Sequence, residues 1–158
     1  MATELETLIS FGAQIRTNLE TLSLLKKSRI DGMAGYCGLG SALLHKTATV
    51  HNIKTDFVLG TFKTPNRKKK KSGHCWVEFG DHIIDITASQ FGINSRIYVS
   101  NIGDDRYTYV AKNDTAIFAI ETCWPPEQKF STYVEDIIVI AKTIEAVVGK
   151  MKEVPNVT

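Results

Sequence analysis

Residues 73–87, GHCWVEFGDHIIDIT, limit the possible folds of this chain more than any other stretch. Two runs rich in β-branched and aromatic residues flank Gly80 and Asp81, a pair of the kind that closes a two-residue type II′ hairpin. If these two residues form the turn, Phe79 lies opposite His82, and the register of the remaining pairs follows. The stretch therefore predicts two antiparallel strands with a defined pairing.

This register sorts the polar residues of the hairpin onto two faces. Side chains alternate along a strand, so His74, Trp76, Asp85 and Thr87 share one face and Cys75 projects from the other. His74 and Asp85 are then diagonal neighbours, roughly 7–8 Å apart at the backbone, which their side chains can span. A carboxylate there can accept a hydrogen bond from one imidazole nitrogen and fix the tautomer of the ring. The alternative is a hairpin whose polar pair has a structural role alone.

A cysteine that such a histidine could activate lies upstream, in GMAGYCGLGSALLH. The glycines of this segment indicate a loop that enters a helix between Tyr36 and Gly40. At a helix start, the helix dipole and the free N–H groups favour a thiolate and lower its pKa. The same amides can stabilise an oxyanion. Cys37 is therefore the predicted nucleophile, with a small buried core residue as the alternative.

The rest of the chain predicts helices at both ends and strands between them. Apolar spacing favours an amphipathic helix over residues 3–28, or two helices with a joint near Thr17, and a closing helix over residues 131–151. Further strands are expected in four stretches: residues 53–62, RIYVS, YTYV and TAIFAI. Helices, then a mostly antiparallel sheet, then a helix indicate an α+β fold. We expect a single domain over residues 1–158, with a core at about 30–122, because the chain length suits one domain.

Cys37 at a helix start, His74 in HCWVEF and Asp85 in IIDIT resemble, in this chain order, the transglutaminase-like branch of the papain-like superfamily. The segment DITASQF after the acid is also similar to bacterial and viral members of this group. The resemblance covers roughly residues 30–92. It implies a papain-like core, in which the helix that carries the cysteine packs on an antiparallel sheet.

The resemblance also implies acyl transfer through a thioester, with no cofactor and no metal. Cys37 would attack an amide or ester carbonyl, His74 would move the proton, and Asp85 would orient His74. Water as acceptor makes the enzyme a peptidase, amidase or deamidase, whereas an amine makes it a cross-linking transglutaminase. We expect a cysteine peptidase or amide hydrolase acting on a protein or peptide, because nothing in the sequence suggests a calcium site or accessory domains.

Three further residues are expected near the substrate. Gly38 allows a close approach to the nucleophile, and Trp76 is expected to shield the hydrogen bond between His74 and Asp85 from water. Tyr36, beside the nucleophile, could contribute to the site or pack against the core.

Two other interpretations use different residues. The basic run at 67–71 could bind an acidic partner, which would make the chain a catalytically idle binding domain, but it also suits a solvated loop at the rim of the cleft. Zinc would need closely spaced ligands, and the sequence has neither a C-x-x-C nor an H-x-x-x-H motif. We therefore expect neither nucleic acid nor a metal as a partner, and the oligomeric state stays open.

The composition places the chain among ordinary globular proteins. The net charge is +2, and 43% of the residues are hydrophobic. No apolar run approaches the roughly 20 residues that a membrane helix needs, so no membrane partner is expected. The first residues, MATELETLIS, lack the basic start of a secretory signal. The three cysteines form no disulfide framework, so a cytoplasmic location is expected.

Overall fold

The computed structural model describes residues 2–25, 37–64 and 71–123. Those residues form three α-helices and a five-stranded antiparallel sheet, which confirms the predicted α+β class. The helices are α1 (Glu4–Leu25), α2 (Cys37–Val50) and α3 (Asn113–Cys123). The strands are β1 (Asp56–Lys63), β2 (Lys71–Phe79), β3 (His82–Asp85), β4 (Tyr98–Asn101) and β5 (Tyr107–Lys112), in the spatial order β4-β3-β2-β1-β5. A 3-10 helix, Ala88–Phe91, follows β3.

The hairpin between β2 and β3 has the predicted register. Phe79 faces His82, and the pairing continues to Val77 opposite Ile84. Gly80 has a φ of 56°, whereas Asp81 is not among the described residues with positive φ. A positive φ at the first turn position alone is the pattern of a type II′ turn. The turn chemistry of two residues thus sets which side chains of β2 and β3 share a face.

The strand predicted for TAIFAI is wrong, because these residues belong to α3. A short apolar run cannot be assigned to strand or helix by periodicity alone. The helix begins at Asn113, whose φ of 52° ends the extended conformation of β5. The side chain of Asn113 accepts a hydrogen bond from the backbone N–H of Phe57 and donates one to Asp56. These contacts attach the start of α3 to β1.

Several predicted features fall on other parts of the chain. The predicted closing helix at 131–151 and residues 67–70 of the basic run lie outside the described residues. The predicted N-terminal helix is confirmed over Glu4–Leu25. No helix formed by residues 2–25, 37–64 and 71–123 is long and apolar enough to span a membrane.

The sheet separates two apolar clusters. Helices α1 and α2 cover one face, where their apolar side chains pack with residues of β1, β2 and β3 such as Phe57, Cys75, Val77 and Ile84. The other face carries a largely aromatic cluster. Its buried members are Val58, Phe62, Trp76, Ile83 and Tyr107. Because both faces are covered, five consecutive residues of β2, from His74 to Glu78, are buried.

We expect Gly60→Ala to destabilise the fold strongly. Gly60 faces His74 across β1 and β2, at the point where the register of β1 with β5 shifts. A Cβ atom at this position would lie 2.1 Å from the carbonyl oxygen of Thr108 and 2.4 Å from the ring of Trp76. Since neither the strand backbone nor a fully buried indole can yield easily, we expect a loss of about 3 kcal/mol or more in the free energy of unfolding, measured by urea denaturation.

Gly73→Ala is the matched control for this substitution. Gly73 lies on the neighbouring strand β2, and a Cβ atom there would meet nothing within 4 Å. Alanine in a strand is favoured over glycine by roughly 0.5–1 kcal/mol, so the unfolding midpoint should stay or rise slightly. Equal midpoints for the two variants would contradict the close packing at Gly60.

Candidate active site

Cys37 is the first residue of α2, as the sequence predicted for the nucleophile. Its side chain is half-buried and packs against the cluster under α1 and α2. Gly38 follows in the first turn of α2, whereas Tyr36 lies outside the described residues. A helix start leaves its first amide N–H groups without carbonyl partners inside the helix, so this position favours negative charge.

His74 and Asp85 form the hydrogen bond that their register predicts. Nε2 of His74 lies 2.7 Å from Oδ2 of Asp85, and the two residues are 1% and 0% exposed. The other ring nitrogen of His74, Nδ1, is buried and makes no hydrogen bond of ordinary geometry within the part of the chain that the structure describes. One nitrogen thus holds the ring in place, and the other stays available for a second partner.

Asp85 is the centre of a larger hydrogen-bond network. The hydroxyl of Tyr107 donates to Oδ2 at 2.8 Å, and the backbone N–H of Thr87 donates to Oδ1 at 3.0 Å. Both carboxylate oxygens are therefore engaged, which fixes the orientation of Asp85 and, through it, the ring of His74. Tyr107 was not predicted as a site residue, since its contact with Asp85 depends on how β5 joins the sheet.

Helix α1 stabilises this network through hydrogen bonds of its Arg16 side chain. Nη1 of the buried Arg16 donates to the carbonyl oxygen of Ile86 at 2.8 Å and approaches that of Arg96 at 3.4 Å. Ile86 directly follows Asp85 in the chain. The guanidinium therefore anchors the segment that leaves β3 and limits movement of the carboxylate.

Aromatic rings enclose His74. Phe91 of the 3-10 helix contacts the imidazole edge-on at a centroid distance of 4.8 Å, and Phe62 and Trp76 lie at 6.0 Å and 6.1 Å. Trp76 is 1% exposed, and its indole N–H donates to Glu78 at 3.1 Å. This position suits the predicted shielding of the His74–Asp85 hydrogen bond, because an apolar enclosure keeps water from competing for it.

The electrostatics of the site favour an ionised pair. Burial lowers the pKa of His74, but the charge and hydrogen bond of Asp85, with a smaller effect of Cys37, outweigh it and raise the pKa to about 9. The pKa of Cys37 is well below its usual range, because the neighbouring Cys75 side chain and then the ring and charge of His74 outweigh burial. A thiolate at Cys37 and an imidazolium at His74 therefore stabilise each other.

Cys75 is the partner of Cys37 that sequence reasoning missed. Side-chain alternation correctly places it away from His74, in the cluster under the helices. That same cluster receives Cys37, and Cys75 is the largest cause of the lowered pKa of Cys37. The neighbouring Cys37 side chain, burial and the charge of Cys37 strongly raise the pKa of Cys75. Cys75 is therefore kept protonated.

Asp85 holds the ring of His74 through a hydrogen bond, and Cys37 lies close enough to His74 for each of these two groups to shift the pKa of the other. A thiolate next to an imidazolium is a nucleophile and a proton donor in one site, the combination that acyl transfer requires. Within the described ranges, no three residues among His, Cys, Asp and Glu are grouped so that they could hold a metal ion.

In comparisons with known proteins, no family model, no curated protein and no solved structure matches this chain.

Proposed function

We propose that this protein is a cysteine-dependent hydrolase or acyltransferase that acts on amide bonds through a Cys37–His74–Asp85 triad. One observation carries the proposal: the imidazole of His74 is held by Asp85 at Nε2, while Nδ1 is left without a partner and the Cys37 thiol is close enough for each group to shift the pKa of the other. We further propose that the core is of the transglutaminase-like, papain-like type. The order of the triad and the helix start packed on an antiparallel sheet support this.

The proposed reaction begins at the sulfur of Cys37. The thiolate attacks the carbonyl carbon of the substrate, and N–H groups in the first turn of α2 stabilise the oxyanion. The imidazolium of His74 then gives its proton to the departing amine, which leaves a thioester on Cys37. Neutral His74 next takes a proton from the incoming acceptor, and attack on the thioester releases the product. Asp85 keeps the ring oriented in both steps.

Water is the acceptor that we propose, which makes the reaction hydrolysis of a peptide or amide bond. An amine acceptor would form the same thioester and give cross-linking instead.

Incubation of the full chain with a cell extract tests the proposal. We expect the wild-type protein, and not Cys37→Ala, to produce new peptide termini or deamidated side chains, detected by mass spectrometry of the whole extract. Isopeptide cross-links in place of new termini would identify an amine as the acceptor. Identical products from the wild type and Cys37→Ala would contradict catalysis by Cys37.

A further inference from the structure

The carboxylate oxygen of Asp85 that holds His74 also accepts a hydrogen bond from Tyr107. This oxygen, Oδ2, lies 2.7 Å from Nε2 of His74 and 2.8 Å from the hydroxyl oxygen of Tyr107. We propose that Tyr107 is a positioning residue that acts through Asp85 and eases the release of the proton that the imidazolium of His74 carries. The effect on this proton rests on the two hydrogen bonds, whereas its use in catalysis rests on the proposed function.

Packing directs the hydroxyl of Tyr107 at the carboxylate. Tyr107 is 8% exposed, and β5 places it opposite Phe62 of β1. Its ring contacts Phe62 and Trp76 edge-on, at centroid distances of 4.9 Å and 5.0 Å. Because both of these neighbours are themselves fully buried, the ring has little freedom to move away. The hydroxyl therefore keeps Asp85 as its acceptor.

Tyr107 stays a hydrogen-bond donor while His74 titrates. Burial, followed by the charge and the hydrogen bond of Asp85, raises the pKa of Tyr107 far above its usual range. Asp104 adds to this increase and Arg106 opposes it. The phenol is thus neutral on both sides of the His74 titration, and only the charge state of its surroundings changes.

His74 meets titratable groups from three elements. Asp85 of β3 holds its Nε2, Tyr107 of β5 reaches the same carboxylate oxygen, and Cys37 of α2 also raises the pKa of His74. Strand β1 and the 3-10 helix present uncharged aromatic rings to the imidazole. Since the hydroxyl of Tyr107 bonds to the carboxylate, it acts on the proton of His74 through Asp85.

Loss of the His74 proton leaves Asp85 as a buried carboxylate without a cation. In the proposed reaction the proton leaves from Nδ1 to the departing amine, and the N–H at Nε2 stays on Oδ2. A buried charge without a counter-ion is costly unless hydrogen bonds stabilise it. The hydroxyl of Tyr107 and the backbone N–H of Thr87 supply such bonds. Because these bonds are worth more once the cation is gone, Tyr107 favours neutral His74 and makes the imidazolium a better acid.

NMR titration of the full chain tests this proposal. The imidazole ¹⁵N signals of His74 are identified by their absence from the spectrum of His74→Gln. Tyr107→Phe keeps the packed ring and removes the hydroxyl, so the titration midpoint of His74 should rise by about one pH unit. Tyr98→Phe is the matched control. Tyr98 pairs with Asp85 across β3 and β4, but its hydroxyl bonds to Arg106, so the midpoint of His74 should stay in place.

The wild type gives a second measurement that needs no variant to fold. The ¹³Cζ signal of Tyr107 should move with the same midpoint as His74, because the hydrogen bond to Asp85 strengthens when the cation is lost. Three results would overturn the inference: this signal stays constant through the His74 midpoint, Tyr107→Phe leaves the midpoint unchanged or lowers it, or Tyr98→Phe raises it equally.

The outcome is separate from that of the proposed function. A raised His74 midpoint in Tyr107→Phe, together with identical extract products from the wild type and Cys37→Ala, would remove the proposed function alone. An unchanged midpoint, together with extract products that depend on Cys37, would remove this inference alone.

Discussion

Asp85→Ala should lower the free energy of unfolding by about 3–5 kcal/mol, which is the usual cost of removing one partner of a buried ion pair. The substitution removes the acceptor of hydrogen bonds from His74, Tyr107 and the backbone N–H of Thr87 at once. Because all of these groups are buried, water cannot replace the lost acceptor. Denaturant unfolding followed by circular dichroism measures the loss.

Two variants separate the charge of Asp85 from its shape. Asp85→Asn keeps the volume and one acceptor oxygen but removes the charge, so it should cost less than Asp85→Ala. Tyr107→Phe removes one donor to the carboxylate and leaves His74 paired, so a loss of about 1 kcal/mol is expected. Equal stability of Asp85→Ala and the wild type would contradict a buried His74–Asp85 ion pair.

The stability of the wild type should also depend on pH through His74. Its pKa is raised from 6.5 to about 9 in the folded protein, so the folded state holds this proton more tightly than the unfolded chain. The corresponding stabilisation, on the order of 3 kcal/mol, is complete below about pH 6.5 and is lost as the pH rises through about 9. The difference in the free energy of unfolding between the wild type and Asp85→Asn should therefore become smaller as the pH rises from about 6 to about 10.

The pair of His74 and Asp85 could be predicted from the sequence because it depends on local rules. Gly80 and Asp81 identify the turn, the turn fixes the register, and alternation then places both side chains on one face. Cys37 could be placed at a helix start for a similar reason, since the change from glycines to an apolar helical run is visible in the chain.

The contacts that the sequence did not predict depend on how distant strands assemble. Tyr107 reaches Asp85 because β5 pairs with the far side of β1, where Gly60 leaves room beside Trp76. Neither the strand order nor this gap can be read from periodicity. Alternation assigns Cys75 to the correct face, but the packing of Cys37 against the same cluster depends on how α2 lies on the sheet. The short run TAIFAI has no period that separates strand from helix.

Cys37 should be alkylated by iodoacetamide at least about tenfold faster than Cys75 near neutral pH. The reason is that the pKa of Cys37 is lowered by Cys75 and His74, whereas that of Cys75 is strongly raised by Cys37 and by burial. The rate at Cys37 should therefore increase with pH and level off well below pH 9. Mass spectrometry of the labelled peptides measures both cysteines in the same sample.

Substitutions of the two neighbours identify the source of this reactivity. His74→Ala removes a cation beside the thiolate. The curve of Cys37 alkylation rate against pH should therefore move to higher pH, and the alkylation rate at neutral pH should fall about tenfold or more. Cys75→Ala removes the largest single contribution to the lowered pKa and should shift the profile in the same direction. Cys123→Ala is the control and should leave the profile of Cys37 in place.

The direction of these shifts distinguishes a catalytic thiol from a buried core cysteine. Burial alone raises the pKa of a thiol, so a core cysteine at position 37 would react slowly and would become no slower when His74 is removed. A thiolate stabilised by His74 and Cys75 must lose reactivity with either partner. If His74→Ala and Cys75→Ala both leave the pH profile of Cys37 unchanged, the thiolate–imidazolium pair, and with it the proposed acyl transfer, is excluded.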